Sequence, residues 1–449
     1  MPSQAGENTP PPEQGKSADS AGNRRPLGAV LLTLFLDLVG FSIIFPLFPA
    51  ILDSYPDDDL LKGLLSFLQS ISPEIGLDDP RLITLFGGVL GSLYSLLQFL
   101  LSPFWGSLSD RIGRRPVLLL TIGINMLAAL LWAFSGTFLI LVLSRILSGA
   151  AGGNIATATA AVADVTPGKE RARGMGLVGA AFGLGFILGP AIGGYLSLFD
   201  LSHLGSLPLF GGLAFTPFTV AALGVVVLHF INLLWVFKAL PETRPPSTEP
   251  RPIQWSVSLG SQWGDTVRNT NMANLVYLLA FSGMEFTLAF LVRQRLDFGT
   301  TETATMFVVI GLILALVQGG LTRRLAHSWG PEKTAIRGMV LVALGLVGVA
   351  WTSEDWHLWA SLLPLSAGSA MAMPMLSTIV SSNVSDEEQG AALGVFRSLG
   401  SLSRAIGPFA AAILYWQMGS SAPYLASAIL LLIPMALLSG ALARKGRIS

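Results

Sequence analysis

Gly106-Ser107-Leu108-Ser109-Asp110-Arg111-Ile112-Gly113-Arg114-Arg115 is a short basic stretch wedged between two long apolar runs. Leu82 to Phe104 precedes it and Pro116 to Phe134 follows it, each about the 20 residues a helix needs to cross the hydrocarbon core. So short a connection leaves room only for a tight reversal, and glycine takes left-handed dihedrals cheaply where a helix ends. Arg111, Arg114 and Arg115 mark the side of a bilayer where basic residues accumulate.

Outward from this hinge the pattern repeats. The 449 residues are 52% hydrophobic and 12% charged, with mean hydropathy +0.63. That is too little polar surface for a soluble protein of this length, so lipid is the solvent. About twelve apolar segments of roughly 20 residues can be read. The first six are Leu27 to Leu52, Leu82 to Phe104, Pro116 to Phe134, Phe138 to Ala163, Gly174 to Leu198 and Phe215 to Lys238. The second six are Met272 to Val292, Thr303 to Leu321, Ala335 to Trp351, His357 to Ser381, Ala391 to Trp416 and Pro423 to Leu442. A further apolar piece, Leu60 to Ile71, is too short to span and is expected at the interface or against the bundle.

The expected fold is an all-α polytopic membrane protein, twelve transmembrane helices in two pseudo-symmetric six-helix bundles. Residues 1–26, rich in Pro, Ser, Gly and Gln and lacking an apolar signal core, are expected to be a disordered cytoplasmic tail. Residues 27–240 form the N-terminal bundle and 272–449 the C-terminal bundle. Between them, 241–271 is a cytoplasmic linker that opens on Pro241-Glu242-Thr243-Arg244. Placing Glu388 on Glu170 also puts Gly394 on Gly176 and Gly407-Pro408 on Gly189-Pro190, the mark of an internal repeat. A weaker echo of the hinge is Gly320-Leu321-Thr322-Arg323-Arg324. Arg24, Arg25, the hinge arginines, Lys169, Arg171, Arg173, Lys238, Arg244, Arg323, Arg324, Lys333, Arg444, Lys445 and Arg447 all fall on one side. The opposite loops are acidic or uncharged, so both termini are expected in the cytoplasm.

Several classes are excluded or disfavoured. Formal net charge is zero and spread along the chain, which argues against nucleic acid as a partner. There is no cysteine, and His203, His229, His327 and His357 are scattered, so they read as solvated or interfacial rather than as metal ligands. No nucleophile, base and oxyanion arrangement can be read, so an enzyme is the weakest option and no cofactor is implied.

Charges inside apolar runs point to mechanism, because each costs roughly 2.5–3.5 kcal/mol at bilayer depth unless paired or hydrated. Five stand out: Asp37, Arg145, Glu285, Arg397 and Arg404. Burial favours a neutral carboxylic acid and a nearby guanidinium favours the ion, so a carboxylate whose distance to arginine changes can take up and release a proton. The alternative for Asp37 and Arg145 is a permanent structural ion pair. Glu285 could be a second proton site, a counter-charge for a cationic substrate, or a partner of Arg397 or Arg404 without further role. Gln98, Asn154 and Gln318 are each helix-to-helix glue or ligand contacts. With Met284 and Phe286 beside Glu285, they are the candidates for a substrate cavity. Gly185, Gly189, Pro190, Gly193 and Gly194 let two helices approach closely and bend one of them, and packing alone would account for them.

The pattern Gly106-x-Leu108-x-Asp110-Arg111-x-Gly113-Arg114-Arg115 resembles the signature of the major facilitator superfamily, over nearly the whole chain after the tail. The resemblance implies the two-bundle fold of that family and a cytoplasmic gate at Gly106, Asp110, Arg111, Gly113, Arg114 and Arg115. It also implies that Asp110 faces the eleventh span near Ala391, where Ser385-Asp386-Glu387-Glu388 has the form of a capping box. Gly185 to Gly194 resembles the antiporter motif of drug-efflux members, and Leu36-Asp37-x-x-Gly40 with Pro46 and Pro49 is similar to tetracycline-type drug:proton antiporters. Arg145 matches the family's buried arginine, linked there to proton transfer.

The function expected is secondary active transport, the proton-coupled efflux of small amphiphilic compounds or drugs by alternating access. Its partners would be protons, a small-molecule substrate and the bilayer, with a monomer as the working form and a bacterial inner membrane as the location. Alternatives are an exporter or uniporter of an endogenous metabolite such as a sugar or siderophore, and a non-transporting membrane scaffold or receptor.

Overall fold

Residues 24–55, 57–71, 80–166, 170–206, 212–244, 259–385 and 388–445 are described by a computed structural model. The expected tail up to residue 23, residues 245–258 of the linker and the Asp386-Glu387 part of the capping box lie outside them.

Each crossing is helical, because a backbone in hydrocarbon can bond only with itself. The first is α1 (Arg24–Ser42) continued by α2 (Phe48–Asp53); Pro46 and Pro49 withdraw two backbone donors, and a 3-10 turn at Phe45–Leu47 joins the pieces. The short helix α3 (Asp59–Ile71) follows. Then come α4 (Pro80–Ile112), α5 (Arg114–Ala133), and α6 (Phe138–Ala151) with α7 (Asn154–Val165), broken at Gly152 and Gly153. The half ends with α8 (Glu170–Leu196) and α9 (Thr219–Ala239).

The second half starts with α10 (Asp265–Leu296), seven residues before the expected Met272. It continues with α11 (Thr300–Leu316), a π-helical turn at Val317–Thr322 and α12 (Arg323–Trp329), then α13 (Pro331–Ala350) and α14 (Asp355–Ser382). Last are α15 (Gln389–Met418) and a split crossing, α16 (Ala422–Leu430) with α17 (Leu432–Lys445). Among the described residues, ten crossings are long and apolar enough to span a membrane. α8 and α15, 27 and 30 residues long, reach about 40 Å or more at the helical rise, a length consistent with the twelve crossings expected.

The hinge reading holds in part. Gly113 precedes α5 with φ +102°, the left-handed value that a tight reversal requires. Gly106 instead lies within α4, which runs on to Ile112. The structural echo in the second half is Gly330, φ +82°, directly before α13, rather than Gly320, which sits in the π turn.

α3 packs on the bundle through one face, burying Leu61 with Leu65 and Leu68 partly covered, while Phe67 and Ile71 stand exposed. Asp58 anchors it. One oxygen accepts from the Leu60 and Leu61 amides at 3.0 and 3.1 Å, the other from the Phe138 amide at 2.9 Å, so one carboxylate caps both α3 and α6.

The halves meet at both ends. At the acidic end, Gly87, Gly88 and Gly91 of α4 lie under Phe286, Phe290 and Ala412, and Gly194 of α8 lies against Ala304 of α11. Phe48 packs edge-on against Phe286 at 5.5 Å, and Asp53 is ion-paired with Arg293 across the halves. At the basic end, Val267, Val380, Ala392 and Leu393 join one buried cluster with Ala29, Leu34, Leu118 and Val162.

Candidate functional site

The site begins at α1. Asp37 is the one charged residue of α1 after Arg25, lies near the middle of the first crossing and is 6% exposed. α8 fixes its position: a Cβ on Gly185 would lie 2.6 Å from the Leu38 Cβ, one on Gly189 1.9 Å from the Ser42 Oγ, and one on Gly193 2.0 Å from the Ile43 carbonyl oxygen. The Ser42 hydroxyl donates to the Gly185 carbonyl at 3.0 Å. The glycine pattern is thus a backbone-to-backbone seam, and it brings α8 against the turns of α1 on either side of Leu38.

Asp37, Tyr94, Asn125, Arg145, Ser148 and His229 line one small cavity, contributed by α1, α4, α5, α6 and α9. One Asp37 oxygen accepts from Asn154 Nδ2 at 2.6 Å. The other, Oδ1, is buried without a hydrogen bond and faces His229 Nε2 at 3.5 Å. Arg145, 6% exposed, donates to Ser144 Oγ at 3.2 Å and lies 5.1 Å from the centre of the Trp132 ring. Asp37 and Arg145 therefore share a cavity without forming an ion pair. The permanent bridge weighed as the alternative is not what holds them.

His229 was expected to be solvated or interfacial, and the structure corrects this. It is 3% exposed, in the middle of α9. Gly40, one turn after Asp37, makes room for the ring: a Cβ there would lie 2.9 Å from His229 Cε1.

The remaining candidates scatter. Glu285 and Arg404, on α10 and α15, lie near enough for their charges to interact, and Tyr94 senses Arg404 as well as Asp37 and Arg145. Arg404 donates to Ser401 Oγ at 3.2 Å, and Arg397 lies about two turns earlier on the same face of α15, partly buried. Of the residues proposed for a substrate cavity, Asn154 holds Asp37, whereas Gln98 donates to the Gly152 carbonyl at 3.1 Å as helix-to-helix glue. Met284 is core and Phe286 is wedged against the glycines of α4. Gln318 is exposed in the π turn.

A second constellation occupies the basic end. Asp110 Oδ1 accepts from Arg114 Nη2 at 2.8 Å and from Arg244 Nη1 at 2.9 Å. Arg114, 4% exposed, also reaches Asp164 at 3.1 Å. Among the described residues these are the charged partners of Asp110; the eleventh span, expected opposite it, supplies none of them. Ser385 Oγ donates to Glu388 Oε2 at 3.1 Å, side chain to side chain, and α15 starts at Gln389. Arg111 is exposed, and Arg115 donates to the Phe237 carbonyl at 2.7 Å.

Glu242 locks this corner. It accepts from the Arg114 amide at 2.7 Å, the Arg115 amide at 3.2 Å and the Arg244 amide at 3.2 Å. Gly113 has no side chain with which to cap α5, so Glu242 serves as the cap from another segment, its charge facing the positive end of the helix dipole. Glu242→Ala is expected to cost about 1–2 kcal/mol, seen as a lower melting temperature of the purified protein. Glu242→Gln, which keeps the acceptor but not the charge, should fall between. Equal melting of all three proteins would show that the cap contributes nothing.

The family described as Major Facilitator Superfamily matches residues 30–408. The chain is 33% identical over 450 residues to major facilitator superfamily domain-containing protein 10 of Bos taurus, covering 93% of each. It is 30% identical over 397 residues to the tetracycline resistance protein, class C, of Escherichia coli, covering 87% of this chain and 90% of that protein. Among solved structures, the human organic anion transporter MFSD10 (TETRAN) is similar with a TM-score of 0.71 at 31% identity, over 93% of this chain and 99% of that one. A bacterial homolog of the human lysosomal transporter Spinster, inward-facing and unoccupied, shares the fold with a TM-score of 0.67 at 14% identity, over 94% and 97% of the two chains.

Proposed function

This chain belongs to the major facilitator superfamily, and from that premise we propose that it is a proton-coupled antiporter exporting small amphiphilic compounds by alternating access. It is a membrane transporter rather than an enzyme. One observation carries the proton coupling: Asp37 and Arg145 line one buried cavity but are held by different partners. An arginine close by but not bonded can move toward or away from the carboxylate as the halves rock. Approach favours the ion and retreat favours the acid, so one conformation loads a proton and the other releases it. Proton entry would supply about 2.3 kcal/mol per charge for each 100 mV of membrane potential.

In this reading residues 1–26 and 241–271 lie in the cytoplasm with both termini, and 27–240 and 272–449 are the two rocking bundles of a monomer. A bacterial inner membrane is the proposed location. The Asp110, Arg114, Arg244 and Glu242 cluster would be the cytoplasmic latch. As to cargo, the resemblance to a tetracycline resistance protein favours drugs of that kind. A second reading, an organic anion, is favoured by the resemblance to MFSD10 and by three buried or partly buried arginines, Arg145, Arg397 and Arg404, against two carboxylates, Asp37 and Glu285.

The test is transport into proteoliposomes with an acidic lumen. Tetracycline, and separately a fluorescent organic anion, are expected to accumulate while the pH gradient lasts and to leak back when an uncoupler collapses it. Uptake that ignores the uncoupler would point to a uniporter and sink the antiport reading.

A further inference from the structure

Resting on the proton-coupled reading above, the geometry points to His229 as the second half of the proton site, sharing one proton with Asp37. His229 Nδ1 lies 2.9 Å from the Val225 carbonyl oxygen. A carbonyl only accepts, so Nδ1 must carry the hydrogen. In the neutral ring Nε2 is then a bare lone pair, and it faces Asp37 Oδ1, a buried oxygen with no other hydrogen bond.

Two acceptors buried face to face need a hydrogen between them. It sits on Nε2, giving imidazolium against carboxylate, or on Oδ1, giving a carboxylic acid that donates to imidazole. Either way the pair holds one proton more than a carboxylate and a neutral imidazole do. The 3.5 Å separation is longer than a formed hydrogen bond, and small rotations of the two side chains close it. When the halves rock and the proton departs, the contact becomes two opposed lone pairs. The ring could relieve this by moving its hydrogen to Nε2, but it would then give up the Val225 bond. The step balances simply: one O–H or N–H bond forms on loading and the same bond breaks on release.

The other groups facing the pair do not replace this role. Asn154 from α7 is committed to the second Asp37 oxygen, and Arg145 from α6 is held at Ser144 and Trp132. Tyr94 from α4, Asn125 from α5 and Ser148 from α6 are the other polar groups of the lining, and Arg404 of the other half acts on Tyr94. α8 brings glycine backbone to the seam with α1.

The test uses the full chain, purified without ligand. The infrared carboxyl band that disappears in Asp37→Asn reports the protonated acid at this position, and its pH midpoint is measured in wild type and His229→Gln. Glutamine can neither hold nor share this proton: where wild type keeps it on Oδ1 the donating amide moves the midpoint toward acid, and where wild type keeps it on Nε2 loss of the imidazolium moves it toward alkali, by about one unit or more in either case, tenfold in proton activity. Gly40→Ala displaces the ring without altering either titrating side chain. Gly40→Ala alone should therefore also move the midpoint away from its wild-type value.

Gradient-driven tetracycline uptake should show the same displacement in its pH profile. Identical midpoints in wild type and His229→Gln would overturn the shared proton. Were His229→Gln not to fold, a wild-type midpoint in Gly40→Ala would overturn it equally. Should wild-type uptake prove indifferent to the gradient, the antiport reading fails, and the infrared midpoints still decide the fate of this pair.

Discussion

Asp37→Asn is expected to reduce gradient-driven uptake to the level of protein-free vesicles while leaving the protein folded and inserted. An asparagine at this position can still bond to Asn154 across the 2.6 Å contact, so the seam of α1 with α7 survives. What it cannot do is ionise. The cavity then keeps the charge of Arg145 in both conformations, and rocking no longer changes the number of protons bound. Exchange of labelled for unlabelled tetracycline across the membrane, which needs no net proton movement, should persist. That split between driven uptake and exchange separates a coupling residue from one that merely supports the fold.

Glu285→Gln provides the contrast. Its charge interacts with that of Arg404 in the second half. If Glu285 carries protons, the glutamine variant should show the same split as Asp37→Asn. Were it only a counter-charge, the variant would lose stability and exchange together, because truncating one partner leaves the other buried and uncompensated. Normal driven uptake in both variants would remove protons from the mechanism.

Much of this site was legible because hydrocarbon penalises polar groups so strongly. A charge in an apolar run, such as Asp37 or Arg145, announces itself without any knowledge of what it touches. The same rule applied to a neutral side chain would have singled out His229, which sits in an apolar run of α9. Its partner lies on the first crossing, and no spacing within α9 reveals that. Glu242 left a fainter trace: like Asp110, it is a carboxylate on the side of the membrane where basic residues collect. Which carboxylate would cap α5 and which would hold Arg244 depended on how the end of α9 folds back over the hinge. Sequence likewise could not choose among the glycines. Gly106 and Gly113 look equivalent in the hinge, yet only Gly113 takes a left-handed φ, because the helix ends at Ile112. The glycines of α8 were legible as small residues for close packing, but not as neighbours of α1.

That last point gives a large structural effect expected of a single methyl group. Gly193→Ala adds a Cβ 2.0 Å from the Ile43 carbonyl oxygen and 2.8 Å from Ile43 Cγ1. The first of these is backbone and cannot rotate away, so α1 and α8 must separate along their seam. Gly183 lies ten residues earlier on the same helix with nothing within 4 Å of its would-be Cβ, and it serves as the control. There alanine removes only the conformational disadvantage of glycine, and Gly183→Ala is expected to hold or raise stability by up to about 1 kcal/mol. At Gly193 the same gain in helix propensity is overwhelmed by overpacking, which costs about 1–3 kcal/mol even where side chains alone must yield. Gly193→Ala should therefore melt well below wild type, and Gly193→Val should yield little folded protein. Because the seam runs from Gly185 beside Leu38 to Gly193 beside Ile43, opening it also shifts Asp37 relative to Asn154 and His229. The surviving fraction of Gly193→Ala should then show impaired driven uptake per folded molecule. A Gly193→Ala protein that melts and transports like wild type would mean that α1 and α8 do not approach this closely in the membrane, and that the glycines do not hold the proton site in place.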